Sequence, residues 1–98
     1  MTELAERLLD ELDNEPKSKW YLAQKLDTNE RSIRRAIKEL RDNGYVVISH
    51  STNRGYRLGM EEDREGMIRE YEARIASMSA TVKALKQGRD LGQLEMEV

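Results

Sequence analysis

Apolar residues recur along this chain in two rhythms, one helical and one short and strand-like. Leu4, Leu8, Leu9 and Leu12 stand at helical spacing, with Thr2 placed to cap the first turn and Pro16 closing the pattern. Ser18 is suited to cap a second, shorter helix through about Leu26, with Leu22, Ala23 and Leu26 facing inward. Asp27 and Thr28 predict a turn. Asn29 predicts the cap of a third helix that runs to Asn43 and stops at Gly44, a residue suited to the left-handed position after a helix end. Within that third helix Ile33, Ile37 and Leu40 fall within about 60° of one another on a wheel of about 100° per residue, so they form one core-facing stripe.

After Gly44 the rhythm shortens. Tyr45, Val46, Val47, Ile48 and Ser49 are β-branched or aromatic for the most part, and the turn-forming stretch from Ser51 to Gly55 leads into Tyr56, Arg57 and Leu58, which predicts a β-hairpin. From Met60 to about Gln87 the helical pattern returns without proline, and Gly88 and Gly92 then interrupt it. The expected architecture is mainly α with a small β-hairpin, in the element order of a winged helix-turn-helix followed by a long C-terminal helix. Three segments follow from this: a winged domain over residues 1–58, a helix over 60–87 and a flexible tail over 88–98.

The long helix carries its own signal. Ile68, Tyr71, Ile75, Met78, Val82 and Leu85 are spaced 3, 4, 3, 4, 3, an a/d seam with β-branched residues at each a position. That composition favours a two-stranded parallel coiled coil that pairs two copies of the chain. The seam fails at Glu61 and Arg64 on one side and at Arg89 and Gly92 on the other, and spans roughly 27 Å at 1.5 Å per residue. Candidate g-to-e pairs, Arg74 with Ser79 and Thr81 with Lys86, offer no salt bridges, so the sequence leaves the orientation open. The alternative use of the stripe is to fold back as a fourth amphipathic helix on the winged domain.

Composition narrows the function class. Cysteine is absent, which excludes disulfides and thiolate zinc sites, and no apolar run suggests a signal peptide or a membrane span, so the expected location is the cytoplasm. The net charge of −2 hides a segregation along the chain. Residues 1–16 hold one arginine against six acids, residues 17–58 ten Lys and Arg against four acids, and residues 59–98 six against nine. A basic block between acidic flanks is the footprint of a polyanion-binding face.

That block is centred on the third helix, where Arg31, Arg34, Arg35 and Lys38 lie opposite the apolar stripe. Arginine bonds bidentately to guanine edges, and any of the four cations neutralises a phosphate. A solvated face balanced by Glu30, Glu39 and Asp42 is the competing reading. The hairpin favours the first reading: its turn is polar and carries Asn53 and Arg54 at the tip, where a wing lies along phosphates or enters the minor groove. Ser18, Lys19, Asn29 and Ser32, at the starts of the second and third helices, complete the expected contact set. His50 reads as a solvated loop histidine. Trp20 and Tyr21, beside Lys17 and Lys19, suggest a contact with phosphate and sugar, but the preferred reading is that Trp20 seals the edge of the core or docks an appended helix. No acid-base, nucleophilic or metal-ligating constellation emerges, so neither an enzyme nor a cofactor is expected, and no small-molecule ligand is evident.

The run RSIRRAIKELRDNGYVVISHSTNRGYRL, residues 31–58, resembles the winged-helix domains at the N-terminus of biotin-ligase repressors and of many sugar-responsive regulators. The resemblance covers about residues 3 to 58. It implies that Arg31, Arg34, Arg35 and Lys38 face the DNA groove, that Ser18 begins the supporting helix and that Arg54 lies on the wing. Asn29 replaces the usual capping hydroxyl, and Trp20 stands where a polar residue is common. The forty residues that follow are too few for the effector domain of the larger members, so no ligand-sensing half is expected. The whole layout, including Arg74-Ile75-Ala76-Ser77 on the last helix, is similar to small phage and prophage regulatory or replication proteins. The resulting expectation is a homodimer that binds double-stranded DNA and regulates transcription or marks an origin. A protein-interaction module is the alternative.

Overall fold

The computed structural model describes residues 1–51 and 55–89. In chain order it contains α1 (Glu3–Glu11), β1 (Lys17–Ser18), α2 (Lys19–Lys25), α3 (Glu30–Asp42), β2 (Val47–His50), β3 (Gly55–Leu58) and α4 (Glu61–Gln87). The fold is therefore mainly helical, with a small antiparallel sheet and a long C-terminal helix. The chain divides into two compact units, the first Met1–Glu65 and the second beginning at Gly66. Among the described residues no helix is long and apolar enough to cross a membrane.

The three N-terminal helices start where the sequence places hydroxyl or amide side chains. Thr2, Ser18 and Asn29 each accept a hydrogen bond from the backbone N–H three residues on, satisfying donors that a helix start leaves open. The ends of α2 and α3 share one device. Gly44 adopts φ +92, its N–H reaches the Arg41 carbonyl at 2.9 Å, and the Tyr45 N–H reaches the Leu40 carbonyl at 3.0 Å. At the end of α2, Asp27 takes the equivalent place with φ 51, its N–H bonding to Gln24 and the Thr28 N–H to Ala23. Both are Schellman closures, one with the glycine that suits the left-handed position and one with a residue that strains to occupy it.

The core of the first unit joins all three helices to the sheet. Ala5, Leu8 and Leu12 of the α1 segment, Leu22, Ala23 and Leu26 around α2, Ile33, Ala36, Ile37 and Leu40 of α3, and Val47 of β2 are buried together. Leu4, Leu9, Tyr56 and Leu58 pack against them. The stripes read from the sequence thus converge on one centre.

The sheet departs from the expected hairpin. It has three strands in the order β1-β3-β2, with Lys17 opposite Tyr56 and Ser18 opposite Gly55 on one side of β3. Val47 to His50 face Leu58 to Gly55 on the other side. β2 also begins at Val47 rather than Tyr45, because the chain reverses at Gly44 and Tyr45 is spent closing α3. Strand β1 is two residues long, too short for any periodicity to announce it. The loop before it is fastened to β3: the Leu58 N–H donates to the Asp13 carbonyl at 2.7 Å, and Lys17 Nζ donates to the Glu11 carbonyl and the Asp13 carboxylate. The Glu15 N–H, and after it the Lys17 ammonium, hold the Asp13 carboxyl below the usual carboxylate range.

Candidate nucleic-acid interface

Helix α3 sorts its polar residues into two groups. Arg31, Arg34, Arg35 and Lys38 are exposed on the face opposite Ile33, Ile37 and Leu40. They line a shallow surface depression of about 340 Å³. Among the described residues, Arg31, Arg34 and Arg35 make no hydrogen bond or ion pair, so their guanidinium groups remain available to an anionic partner. Lys38 is paired with Asp42 at 2.8 Å, but both ends are well exposed, and such a pair exchanges readily for another anion.

The second group serves the fold. Arg41 turns inward toward the sheet: Nε and Nη2 donate to the Val47 carbonyl at 3.0 and 2.7 Å, and Nη2 reaches Ser49 Oγ at 3.0 Å. It fixes the spacing between α3 and β2. Glu39 clamps the start of α1, accepting from Thr2 Oγ1 and from the Thr2 backbone N–H, each at 2.7 Å. These two bonds hold the Glu39 carboxyl below the usual carboxylate range, the Thr2 hydroxyl being the larger cause. The competing reading of Glu39 as a counter-charge to the basic face thus meets an internal contact instead.

A second cluster lies where α2 begins. Ser18 ends β1 and caps α2 at once, accepting from the Tyr21 N–H at 3.1 Å. Lys19 Nζ stands 3.5 Å from Glu30 at the start of α3. Asn29 Oδ1 accepts from the Ser32 N–H at 2.8 Å, so both residues lie in the first turn of the basic helix. Lys19, Ser49, His50, Ser51, Gly55 and Tyr56 surround a groove of about 250 Å³. Ser49, Ser51 and Tyr56 were not singled out by sequence. The pairing of β1 with β3 brings them to Lys19, and nothing local in a two-residue strand signals that pairing. The expected contacts at Asn53 and Arg54 lie outside the described residues.

Two sequence expectations are corrected here. His50 is not a solvated loop residue: it ends β2, is half-buried, and its Nε2 accepts a hydrogen bond from Arg57 Nε at 2.9 Å. Arg57 in turn lies 3.6 Å from Asp63. Trp20 does not seal the core edge. It is 69% exposed and Tyr21 is 46% exposed, because the inward face of the seven-residue α2 is already filled by Leu22 and Ala23.

In the second unit the a/d residues remain uncovered. Ile68, Ile75, Met78, Val82 and Leu85 are between 48% and 75% exposed and Tyr71 is 38% exposed. No residue of α4 is buried. Arg74 lies over the Tyr71 ring, 4.7 Å from its centroid, a cation-π contact one turn along the helix.

No curated protein and no solved structure matches the chain. A family model described as an HTH domain matches residues 5–57, more than half of the chain and the same segment that forms the three helices and the sheet. The chain therefore belongs to this family, and its first unit is a helix-turn-helix DNA-binding domain with a small sheet as its wing.

Proposed function

We propose that the protein binds specific sequences of double-stranded DNA as a homodimer, acting as a transcriptional regulator or as a phage-type replication or origin-binding factor. In this reading α3 enters the major groove, where Arg31, Arg34, Arg35 and Lys38 meet base edges and phosphates. Ser18, Lys19, Asn29 and Ser32 position the phosphates beside it, and Asn53 and Arg54 on the wing track the backbone. Ile68, Tyr71, Ile75, Met78, Val82 and Leu85 pair two copies, so that two recognition helices read two half-sites and gain affinity through effective concentration. The likeness of residues 31–58 to the DNA-binding domains of biotin-ligase repressors supports the same assignment of the basic helix.

One observation carries the proposal: three exposed arginines project from the recognition helix, none engaged by another described residue. The test is equilibrium binding of labelled duplex DNA, selected from genomic fragments, over a range of salt. Wild-type affinity should fall steeply with salt. Changing Arg34 and Arg35 together to Ala should abolish specific binding while leaving the fold intact, and should lower the log-log salt slope by about 1.8 if each guanidinium meets a phosphate. A folded double mutant that binds the selected site normally refutes the assignment. For the dimer, Ile75→Glu should shift sedimentation from two chains to one.

The exposed Trp20 and Tyr21 favour a second reading, in which the winged domain also docks another protein. Binding that changes little with salt and needs no DNA would support it.

A further inference from the structure

We infer that two α4 helices pair in antiparallel orientation, each laying its acidic half against the basic half of the other; this rests on the proposed homodimer and fixes what that proposal leaves open. The ground is a charge polarity along α4. Residues 61–72 hold six acids and only two arginines, whereas residues 73–89 hold Arg74, Lys83, Lys86 and Arg89 and no acid. The helix dipole favours acids in the first turn and cations in the last, which accounts for Glu61, Glu62, Asp63 and Lys86. Its influence ends there, and it gives no reason for seventeen consecutive residues without an acid.

Partner choice gives one. In a parallel pair every residue lies level with its own copy, so the acidic halves adjoin, the basic halves adjoin, and no flanking salt bridge compensates. Reversing one helix lays the acid-rich half of each copy against the acid-free half of the other. A spacing of 3, 4, 3, 4, 3 is the same read from either end, so reversal keeps every seam residue in the seam. Ile68 then meets Leu85, Tyr71 meets Val82 and Ile75 meets Met78.

Packing points the same way. The reversed layers each join a β-branched side chain to one that is not branched at Cβ, and Tyr71, the bulkiest, faces Val82, the smallest. Parallel pairing stacks Tyr on Tyr and Val on Val, which makes neighbouring layers unequal in width. The β-branched a positions that favour a parallel pair are thus opposed by layer size and by charge together.

Flanking the reversed seam, Glu65 faces Lys86 on the second copy, a pair that occurs twice by symmetry. The next layer outward at each end brings Arg64 level with Arg89, and this sets the limit of the pairing. Arg64 is held away from it by Glu61 and by the Gly44 carbonyl, to which its Nη1 donates at 2.8 Å.

The absence of cysteine makes the test direct. Gln87 lies on the side of α4 opposite the seam, so Gln87→Cys accepts a spin label without entering the interface. In the antiparallel pair Gln87 stands level with Gly66 of the second copy, which separates the two labels by about 32 Å along the axis at 1.5 Å per residue. In a parallel pair the labels stand level and about 25–30 Å apart, given an interaxial spacing of 8–10 Å plus the helix radii and the two outward-pointing label arms, whereas the axial offset of the antiparallel pair raises the distance to about 40 Å. Sedimentation of the labelled protein is measured alongside. A dimer with the long distance supports the inference, and a dimer with the short distance overturns it while leaving the homodimer standing. A monomer overturns the homodimer and the orientation with it. As an independent check, Ile68→Cys and Leu85→Cys chains of different mass are mixed and oxidised. Predominant cross-links between the two chains support antiparallel pairing, and predominant links between like chains exclude it.

Discussion

Replacing Arg41 by methionine tests whether the basic residues of α3 divide between DNA and fold as the geometry indicates. Methionine retains most of the apolar stem and removes every donor, so the change isolates the guanidinium. Two of its bonds converge on the carbonyl of fully buried Val47 and a third reaches Ser49 Oγ. A hydrogen bond from a charged donor contributes about 1.5–3 kcal/mol, and a carbonyl left without its donor loses about 1–3 kcal/mol; these describe the same event from two sides and are not summed. Partial desolvation of the cation offsets some of the gain, so about 2 kcal/mol is expected. For a domain of this size that lowers the melting temperature by about 8–16 °C. The assay is urea unfolding followed by far-ultraviolet circular dichroism at fixed protein concentration, with Arg35→Met as the matched control. Arg35 is exposed and makes no bond to a described residue, so its replacement should change stability by less than about 0.5 kcal/mol. On DNA the order reverses: Arg35→Met should reduce the log-log salt slope by about 0.9, and Arg41→Met should leave it unchanged. Equal stability losses in the two variants, or an Arg41→Met protein as stable as the wild type, would refute the division.

Three further outcomes follow from local geometry. Gly44→Ala forces a side chain into φ +92 and should cost about 1–2 kcal/mol, whereas Asp27→Gly relieves the matching strain at φ 51 and should be neutral or stabilising by up to about 1 kcal/mol; denaturant midpoints measure both. Gly59→Ala should cost about 1–3 kcal/mol by the same measurement, because an added Cβ lies 2.6 Å from Cγ1 of the buried Val46. The Glu39 carboxyl has a folded-state pKa below its unfolded value, so its contribution is complete above the usual carboxylate range and is lost as pH falls through the lowered value. The stability difference between wild type and Glu39→Gln should therefore shrink between about pH 6 and about pH 3, and a difference that stays constant would show that the Thr2 clamp does not depend on the charge.

The helices, their caps and the basic face of α3 were legible from the residues alone, since each depends on neighbours within about one turn. Thr2, Ser18 and Asn29 cap by reaching three residues ahead, Gly44 closes α3 through bonds to the preceding turn, and a 3.6-residue period places Ile33, Ile37 and Leu40 opposite Arg31, Arg34 and Arg35. Tertiary structure alone decided what lies between distant segments. It paired two residues of β1 with β3, brought Ser49, Ser51 and Tyr56 to Lys19, gave His50 to Arg57, turned Arg41 toward Val47 and left Trp20 in solvent. Those outcomes turn on which partners the folded chain brings within about 3 Å, a condition that hydrophobic period and capping chemistry do not encode.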